Sequence, residues 1–457
     1  MLRSIVVLIL LSLSCAADAD FNAAMSLYQK RDFGAALVEF KRLAAIGDHD
    51  AQFNIGVMYY RGESVDKDPI AGFAWISLAG DSAGKDAEPR KALANKIFEN
   101  LDPAQKEAAE RVRKDLLNTY GDAAISEKLA PVLASTNLGS RQRAIKIVTP
   151  VYPKSMLSAG NMGVVDLMYG IGKDGTVRDI GVLLASDKKF IDSAIDALKA
   201  RQFEPASVDG KPVEVYGEVL RVNYVLDDVK FRERVILDDV AKLREKAENG
   251  SPSDQFQYAY LMQIIPSFTK LDIDTQDANL WYYNSAKSGN AKAQFFLGKN
   301  LLNGNACTVD SVKSLYWLES SASQGASDAQ YLLAIEMLSG ARLDRNKDAA
   351  LRWLQKAAES NNANAQLRLA WILSTDTDNS VRNGVLAKSY VEKISAEVFD
   401  KRSFYETQAA VAAELGKFDE AINWQNKAMS ELRHYELPLI SASARLKAYQ
   451  QNHAWTE

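Results

Sequence analysis

The chain has 457 residues, too many for one hydrophobic core, so about two to four structural units are expected. Its formal charge is −4, from 55 basic against 59 acidic residues, and no stretch carries a single-sign run, which removes the electrostatic basis for non-specific nucleic-acid binding. An apolar fraction of 47% is that of an ordinary packed protein.

At the amino terminus Arg3 precedes the apolar run Ile5 to Leu11, and Ala17-Asp18-Ala19 supplies small residues at both cleavage-specifying positions. This is the pattern of a secretory signal peptide, residues 1–19, cut between Ala19 and Asp20. The run is too short to span a bilayer comfortably, and no later segment reaches about eighteen consecutive apolar residues. The alternative is lipidation at Cys15, although Ser12 stands where a lipobox ordinarily has Leu. The expected location is the periplasm, with membrane attachment only if Cys15 carries lipid. After cleavage only Cys307 remains, so no internal disulfide can form. Cys307 reads as a small buried apolar side chain, with a reactive thiol as the alternative.

Residues 20–85 have apolar positions at helical spacing, as in Ala23, Leu27 and Tyr28, then Ala35, Ala36, Val38 and Phe40. Residues 86–140 form a helical segment and linker. Two helices are expected there, the second opening at Asp102-Pro103 and ending near Tyr120-Gly121.

In residues 141–227 the period changes from helix to strand. Val164 to Tyr169 and Val177 to Leu184 are β-rich, and Lys173-Asp174-Gly175 between them is a hairpin turn. Phe190 to Ala200 has helical spacing through Ile191, Ala194, Ile195 and Leu198. From Val213 the alternation resumes, with Val213, Val215, Gly217, Val219, Arg221 and Asn223 on one side. Tyr216, Leu220, Val222 and Tyr224 fall mainly on the other. The order β-β-α-β makes a small α+β domain.

Residues 228–400 return to helical patterning with a strict repeat. Trp281, Trp317 and Trp353 stand 36 residues apart, and Ala293-Gln294, Ala329-Gln330 and Ala365-Gln366 keep the same step. Gly298, Ala334 and Ala370 follow in phase. The register then slips, because Tyr390 stands 37 residues after Trp353. Such a period marks an array of helical hairpins, each unable to bury its apolar face alone. The tryptophans read as core packing. Residues 401–457 add a further helical unit.

These repeats resemble Sel-one-like repeats, relatives of the tetratricopeptide repeat. The amino-terminal copy runs Ala51-Gln52-Phe53-Asn54-Ile55-Gly56-Val57-Met58-Tyr59-Tyr60-Arg61-Gly62, then Val65-Asp66-Lys67-Asp68, then a helix containing Trp75. Leu415-Gly416-Lys417-Phe418-Asp419-Glu420-Ala421 is similar to an ordinary tetratricopeptide unit. The resemblance implies a mainly α fold, a solenoid of helical hairpins that holds partner proteins.

The inserted domain resembles the carboxy-terminal domain of TonB, the periplasmic partner of outer-membrane transporters. Tyr152-Pro153, Gly163-Val164-Val165, Asp174-Gly175-Thr176-Val177, Phe203-Glu204-Pro205-Ala206 and Asp209-Gly210-Lys211-Pro212-Val213 carry it. The resemblance implies peptide capture by strand addition at the last strand, through Val213, Val215, Gly217, Val219, Arg221 and Asn223. That edge is either open or covered by neighbouring helices, and the sequence leaves both readings standing. A TonB transducer also has an uncleaved anchor and a long proline-rich span, whereas the 11 prolines here are scattered.

No pattern gives catalysis a residue to stand on. Gly170 to Gly175 matches G-x-G-x-x-G, but a strand follows it where a dinucleotide site needs a helix. Asp272 to Asp277 lacks the Gly and Glu of a calcium loop, holding Asp277 and Tyr283 at those positions. His49, His434 and His453 are far apart, without zinc-ligand spacing. The expectation is a periplasmic, non-enzymatic scaffold with no cofactor, metal, nucleic acid or small-molecule substrate. Its partners would be proteins, among them periplasmic segments of outer-membrane transporters. The alternatives are a TonB-type energy transducer or accessory, and an envelope enzyme with a cryptic site.

Overall fold

The computed structural model describes residues 19–81, 86–134, 142–226, 233–265, 277–394 and 400–457. Residues 1–18 of the expected leader, Cys15 among them, and Asp272 to Gln276 lie outside them.

The chain opens with α1 (Ala19–Gln29), α2 (Phe33–Ala44), α3 (His49–Arg61) and α4 (Pro69–Gly80). The expected cleavage position is thus the first residue of α1. In α3, Asp48 accepts from Ala51 N (2.8 Å) at one end, and Gly62 at φ 75° ends the other. Between these caps, Gly56 lets α4 approach, since a Cβ there would stand 2.6 Å from Ile76 Cγ1. Next come α5 (Ala87–Glu99), α6 (Pro103–Tyr120) and α7 (Asp122–Leu129). This is one helix more than the sequence pattern suggests. Asp102 and Gln105 form a capping box that starts α6, and extended backbone at Gly121 stops it and lets α7 begin.

The inserted region contains β1 (Ala144–Lys146), α8 (Lys154–Ser158), β2 (Gly163–Ile171), β3 (Val177–Ala185) and α9 (Ile191–Lys199). It continues through β4 (Gln202–Phe203), β5 (Ala206–Val208), β6 (Lys211–Val213) and β7 (Val215–Tyr224). The main sheet is antiparallel in the order β3-β2-β7. Gly175, at φ 76°, turns β2 into β3 as its sequence neighbours imply. The last apolar run is two strands, not one. Val213 ends β6 and pairs with Ala206, and β7 starts only at Val215.

Every residue of β2 is buried. Its alternating side chains feed two cores, Val165, Leu167, Tyr169 and Ile171 with Phe190 and Ile195 of the α9 side, and Val164 and Met168 with the helical array. A strand apolar on both faces is what such double burial requires.

The array is α10 (Glu233–Asn249), α11 (Pro252–Ile264), α12 (Asp277–Lys287), α13 (Ala291–Asn303), α14 (Ser311–Ser323), α15 (Ser327–Ser339), α16 (Lys347–Glu359) and α17 (Ala363–Thr375). It ends with α18 (Gly384–Lys393), α19 (Lys401–Glu414), α20 (Phe418–His434) and α21 (Ile440–Gln450). The Ala-Gln ladder has a specific cause. Gln294, Gln330 and Gln366 donate through Nε2 to the carbonyls of Ala286, Ala322 and Ala358 at 3.1, 2.9 and 3.0 Å. Each of these carbonyls lies in the last turn of the preceding helix and also accepts the N–H of Gly289, Gly325 or Asn361, so the glutamine is a further donor that ties the next helix to it. The paired alanines are fully buried and let the helices close on one another. Trp317 is fully buried, whereas Trp281 and Trp353 are half-buried against the core. The slip after Trp353 has a visible origin: the turn 376–383 is one residue longer than the turn 340–346.

The two repeat blocks meet. Trp317 Nε1 donates to Leu129 O (3.1 Å), Lys313 Nζ to Ala130 O (2.8 Å), and Thr308 N to Val132 O (2.8 Å). Leu133 bridges Cys307, which is fully buried, and burial pushes its thiol up to about 12. One hydrophobic core runs from Phe40 and Ile125 through Trp317 to Tyr390, so the sheet domain is spliced into a continuous helical stack.

Candidate functional site

The sheet is bolted to the first helices of successive hairpins by charges placed within apolar runs. Asp166 of β2 is buried and accepts from Arg221 Nε (2.7 Å) and from Tyr260 Oη of α11 (2.5 Å). Arg221 also donates to Gln263 O (2.7 Å). Burial works against the Arg221 charge, but the Asp166 carboxylate more than offsets it and holds the guanidinium protonated beyond its usual range.

At the start of β7 the backbone itself is engaged. Tyr216 N donates to Glu336 Oε1 of α15 (3.3 Å), and Arg342 donates to Tyr216 O. Arg342 also binds Glu336, through Nε to Oε2 at 2.9 Å. Asn303 Nδ2 of α13 donates to Gly217 O (3.3 Å). Gly217 takes φ 85°, and a Cβ there would stand 2.9 Å from Leu332 Cδ1. Glycine is therefore required on two counts, backbone sign and helix approach.

A third cluster seals the start of β3. Arg368 of α17 binds Asp179 Oδ2 (3.1 Å) and Glu214 Oε2 (2.7 Å), while Asn364 donates to Asp179 O (3.0 Å). Burial raises both carboxyls. Arg368 and Arg178 still pull Glu214 below its ordinary value, whereas Asp179, facing Glu214 and Asp400, stays above its own. From α19, Arg402 donates to Thr176 Oγ1 (2.7 Å) and Val177 O (2.9 Å), and Glu406 lies 3.5 Å from Arg178.

The six residues expected to form a strand-addition edge are therefore divided. Val213 belongs to another hairpin, and Val215 pairs with Ile171 of β2. Gly217 is held by Asn303, and Arg221 is spent on Asp166 and Gln263. Asn223 is exposed and Val219 half-buried. Neighbouring helices cover this edge at its beginning, at Tyr216 and Gly217. Among the described residues no group of three or more His, Cys, Asp or Glu could hold a metal ion, and no helix is long and apolar enough to cross a membrane.

Residues 148–226 match the family model described as Gram-negative bacterial TonB protein C-terminal. Residues 49–83, 291–325 and 327–362 match the Sel1 repeat model. The chain thus carries Sel1 repeats on both sides of a TonB C-terminal-type domain, in a mainly helical fold. Among solved structures it is similar to a Sel1 repeat protein from Oxalobacter formigenes, at 21% identity over 39% of this chain and 73% of that one, with a TM-score of 0.33. It is also similar to a protective antigen present in uropathogenic Escherichia coli strains and displaying an SLR fold, at 19% identity over 92% of this chain and 76% of that one, with a TM-score of 0.36. No curated protein matches the chain.

Proposed function

We propose that this chain is a non-catalytic, protein-binding scaffold of the Gram-negative cell envelope, exported to the periplasm by its leader. The observation that carries this reading is the union of the two modules. Helices α11, α13, α15, α17 and α19 all hold the sheet through buried or part-buried polar contacts, so the TonB-type domain is a fixed part of the scaffold. An energy transducer needs that domain to move on a tether. Protein partners are supported by both families, and periplasmic segments of outer-membrane transporters are the partner class the TonB-type domain favours.

The outer helices still offer apolar contacts, with Val312, Val385 and Ile440 exposed at 81%, 73% and 83%. The test is site-specific photo-cross-linking in intact cells from these three positions. Discrete adducts to the same few envelope proteins are expected. Absence of adducts from every position, with the protein present and folded, sinks the scaffold reading.

A further inference from the structure

The array seals both edges of the sheet at the beginning of the strand, β7 at Tyr216 and Gly217 and β3 at Val177 to Ile180, and beyond that point β3 faces a cleft. In antiparallel pairing, alternate residues direct their backbone groups toward one neighbour. Ser186 N donates to Val164 O (2.9 Å) and Val164 N to Ser186 Oγ (2.9 Å), so Val164 and, two and four residues on, Asp166 and Met168 face β3. Their partners Leu184 and Gly181 face back. Val182 and Ala185 then direct N–H and C=O outward, with Leu183 the extra residue of a bulge between them.

This stretch lines a cleft of about 620 Å³ between the sheet and the array. Opposite β3, the floor is aromatic, with Phe256 from α11 and Phe295 and Phe296 from α13. The far wall is the turn from α14 to α15, Gln324 to Asp328. Lys188 and Lys292 stand among the lining residues. Against these two lysines the lining holds one acid, Asp328, which accepts from Asn362 Nδ2 (3.2 Å), so basic side chains outnumber acidic ones in the cleft.

We propose that this cleft receives an extended peptide segment of a partner protein, paired in antiparallel or parallel register with the outward backbone of Val182 and Ala185. An apolar side chain would enter the aromatic floor, and acidic residues flanking it would meet Lys188 and Lys292. The proposal rests on the scaffold reading and names where and what the scaffold grips. It uses the opposite edge from the one implied by the resemblance to TonB. There, Glu336, Arg342 and Asn303 cap β7 at Tyr216 and Gly217. The four lining residues of β3 span about 13 Å at roughly 3.3 Å per residue, enough to fix a short register. Main-chain pairing would supply the affinity and the floor the selectivity.

The experiment uses the whole mature chain and three synthetic hexapeptides. These are acetyl-Glu-Thr-Val-Val-Thr-Glu-amide, its counterpart with Lys at both ends, and the acidic peptide N-methylated at its second Val. Titration calorimetry gives affinities and amide hydrogen exchange gives the site. The acidic peptide is expected to bind and to slow exchange at residues 182–185. The Lys peptide and the N-methylated peptide should each bind about tenfold more weakly, because one loses charge complementarity and the other a ladder donor. K292E should reverse the charge preference, and S327Y, which fills the mouth, should abolish binding while leaving the helical signal unchanged. Equal affinity for all three peptides, or protection at 219–223 in place of 182–185, overturns the proposal. So does absence of binding by all three, and in that event cross-links from Val312, Val385 and Ile440 judge the scaffold reading separately.

Discussion

The β7 edge and the β3 edge belong to one three-stranded sheet and rest on one array, yet they end differently. Along β7 the array supplies a carboxylate, a guanidinium and an amide directly to the backbone of Tyr216 and Gly217. Along β3 the same device also operates at the beginning, at Val177 to Ile180, and beyond it the strand lines a cleft. An exposed edge is ordinarily an aggregation hazard, and here it is managed by polar side chains from another module. Where that management stops, a cleft with an apolar floor begins. Covering and availability are thus set residue by residue, not domain by domain.

The comparison breaks most sharply at Arg342. Replacing it by Ala strips the countercharge from Glu336, which is fully buried, and should cost about 3–5 kcal/mol in chemical denaturation. Hydrogen exchange should rise at Tyr216 and Gly217 and stay unchanged at 182–185. If both edges loosen together, they are not independently held. Next in size, Gly217→Ala forces a side chain into a φ of 85° and against Leu332, and should cost about 1–3 kcal/mol by the same denaturation assay. Gln330→Ala removes the side-chain donor to the Ala322 carbonyl, which keeps the N–H of Gly325, and should cost about 1 kcal/mol. That change tests the array alone and should leave both edges as they were.

The smallest effect concerns pH. His49 Nε2 lies 3.1 Å from Asp122, tying α3 to α7. Burial works to lower the His49 pKa, but the hydrogen bond and charge of Asp122 and the bond to Gln52 raise it overall. The sign follows: a raised histidine stabilises fully below its unfolded value and loses that contribution as pH rises through the folded one. His49→Gln should therefore cost about 0.5 kcal/mol near pH 5.5 and nothing measurable near pH 8, since Asp122 is more than half exposed. Equal destabilisation at both values would show that the pair carries no charge.

Much of this was legible in the chain. The 36-residue ladder marks the hairpins, and its slip at Tyr390 is the longer turn before α18. The turn at Gly175 and the helix from Ile191 follow from local rules. The seam did not, because its partners lie far apart in sequence: Tyr216 with Glu336, Asp179 with Arg368, Val177 with Arg402. A signal was nevertheless present. Asp166 interrupts Val164-Val165 and Leu167-Met168, and Glu336 interrupts Leu332 to Ile335 and Met337-Leu338. A charge inside an apolar run needs a buried countercharge, though sequence alone does not say where it comes from. The division of the last strand at Glu214 was missed because Val213 and Val215 continue the alternation across it.

The bond from Trp317 to Leu129 joins residues 188 positions apart, with the whole sheet domain made in between. At a synthesis rate of about 5–20 residues per second, the amino-terminal hairpins wait on the order of ten seconds or more before that indole arrives. Throughout that interval the carbonyls of Leu129 and Ala130 lack the donors that Trp317 and Lys313 later bring. The splice that unites the two modules therefore also sets a clock, and a hairpin made after the sheet domain completes the contacts of those made before it.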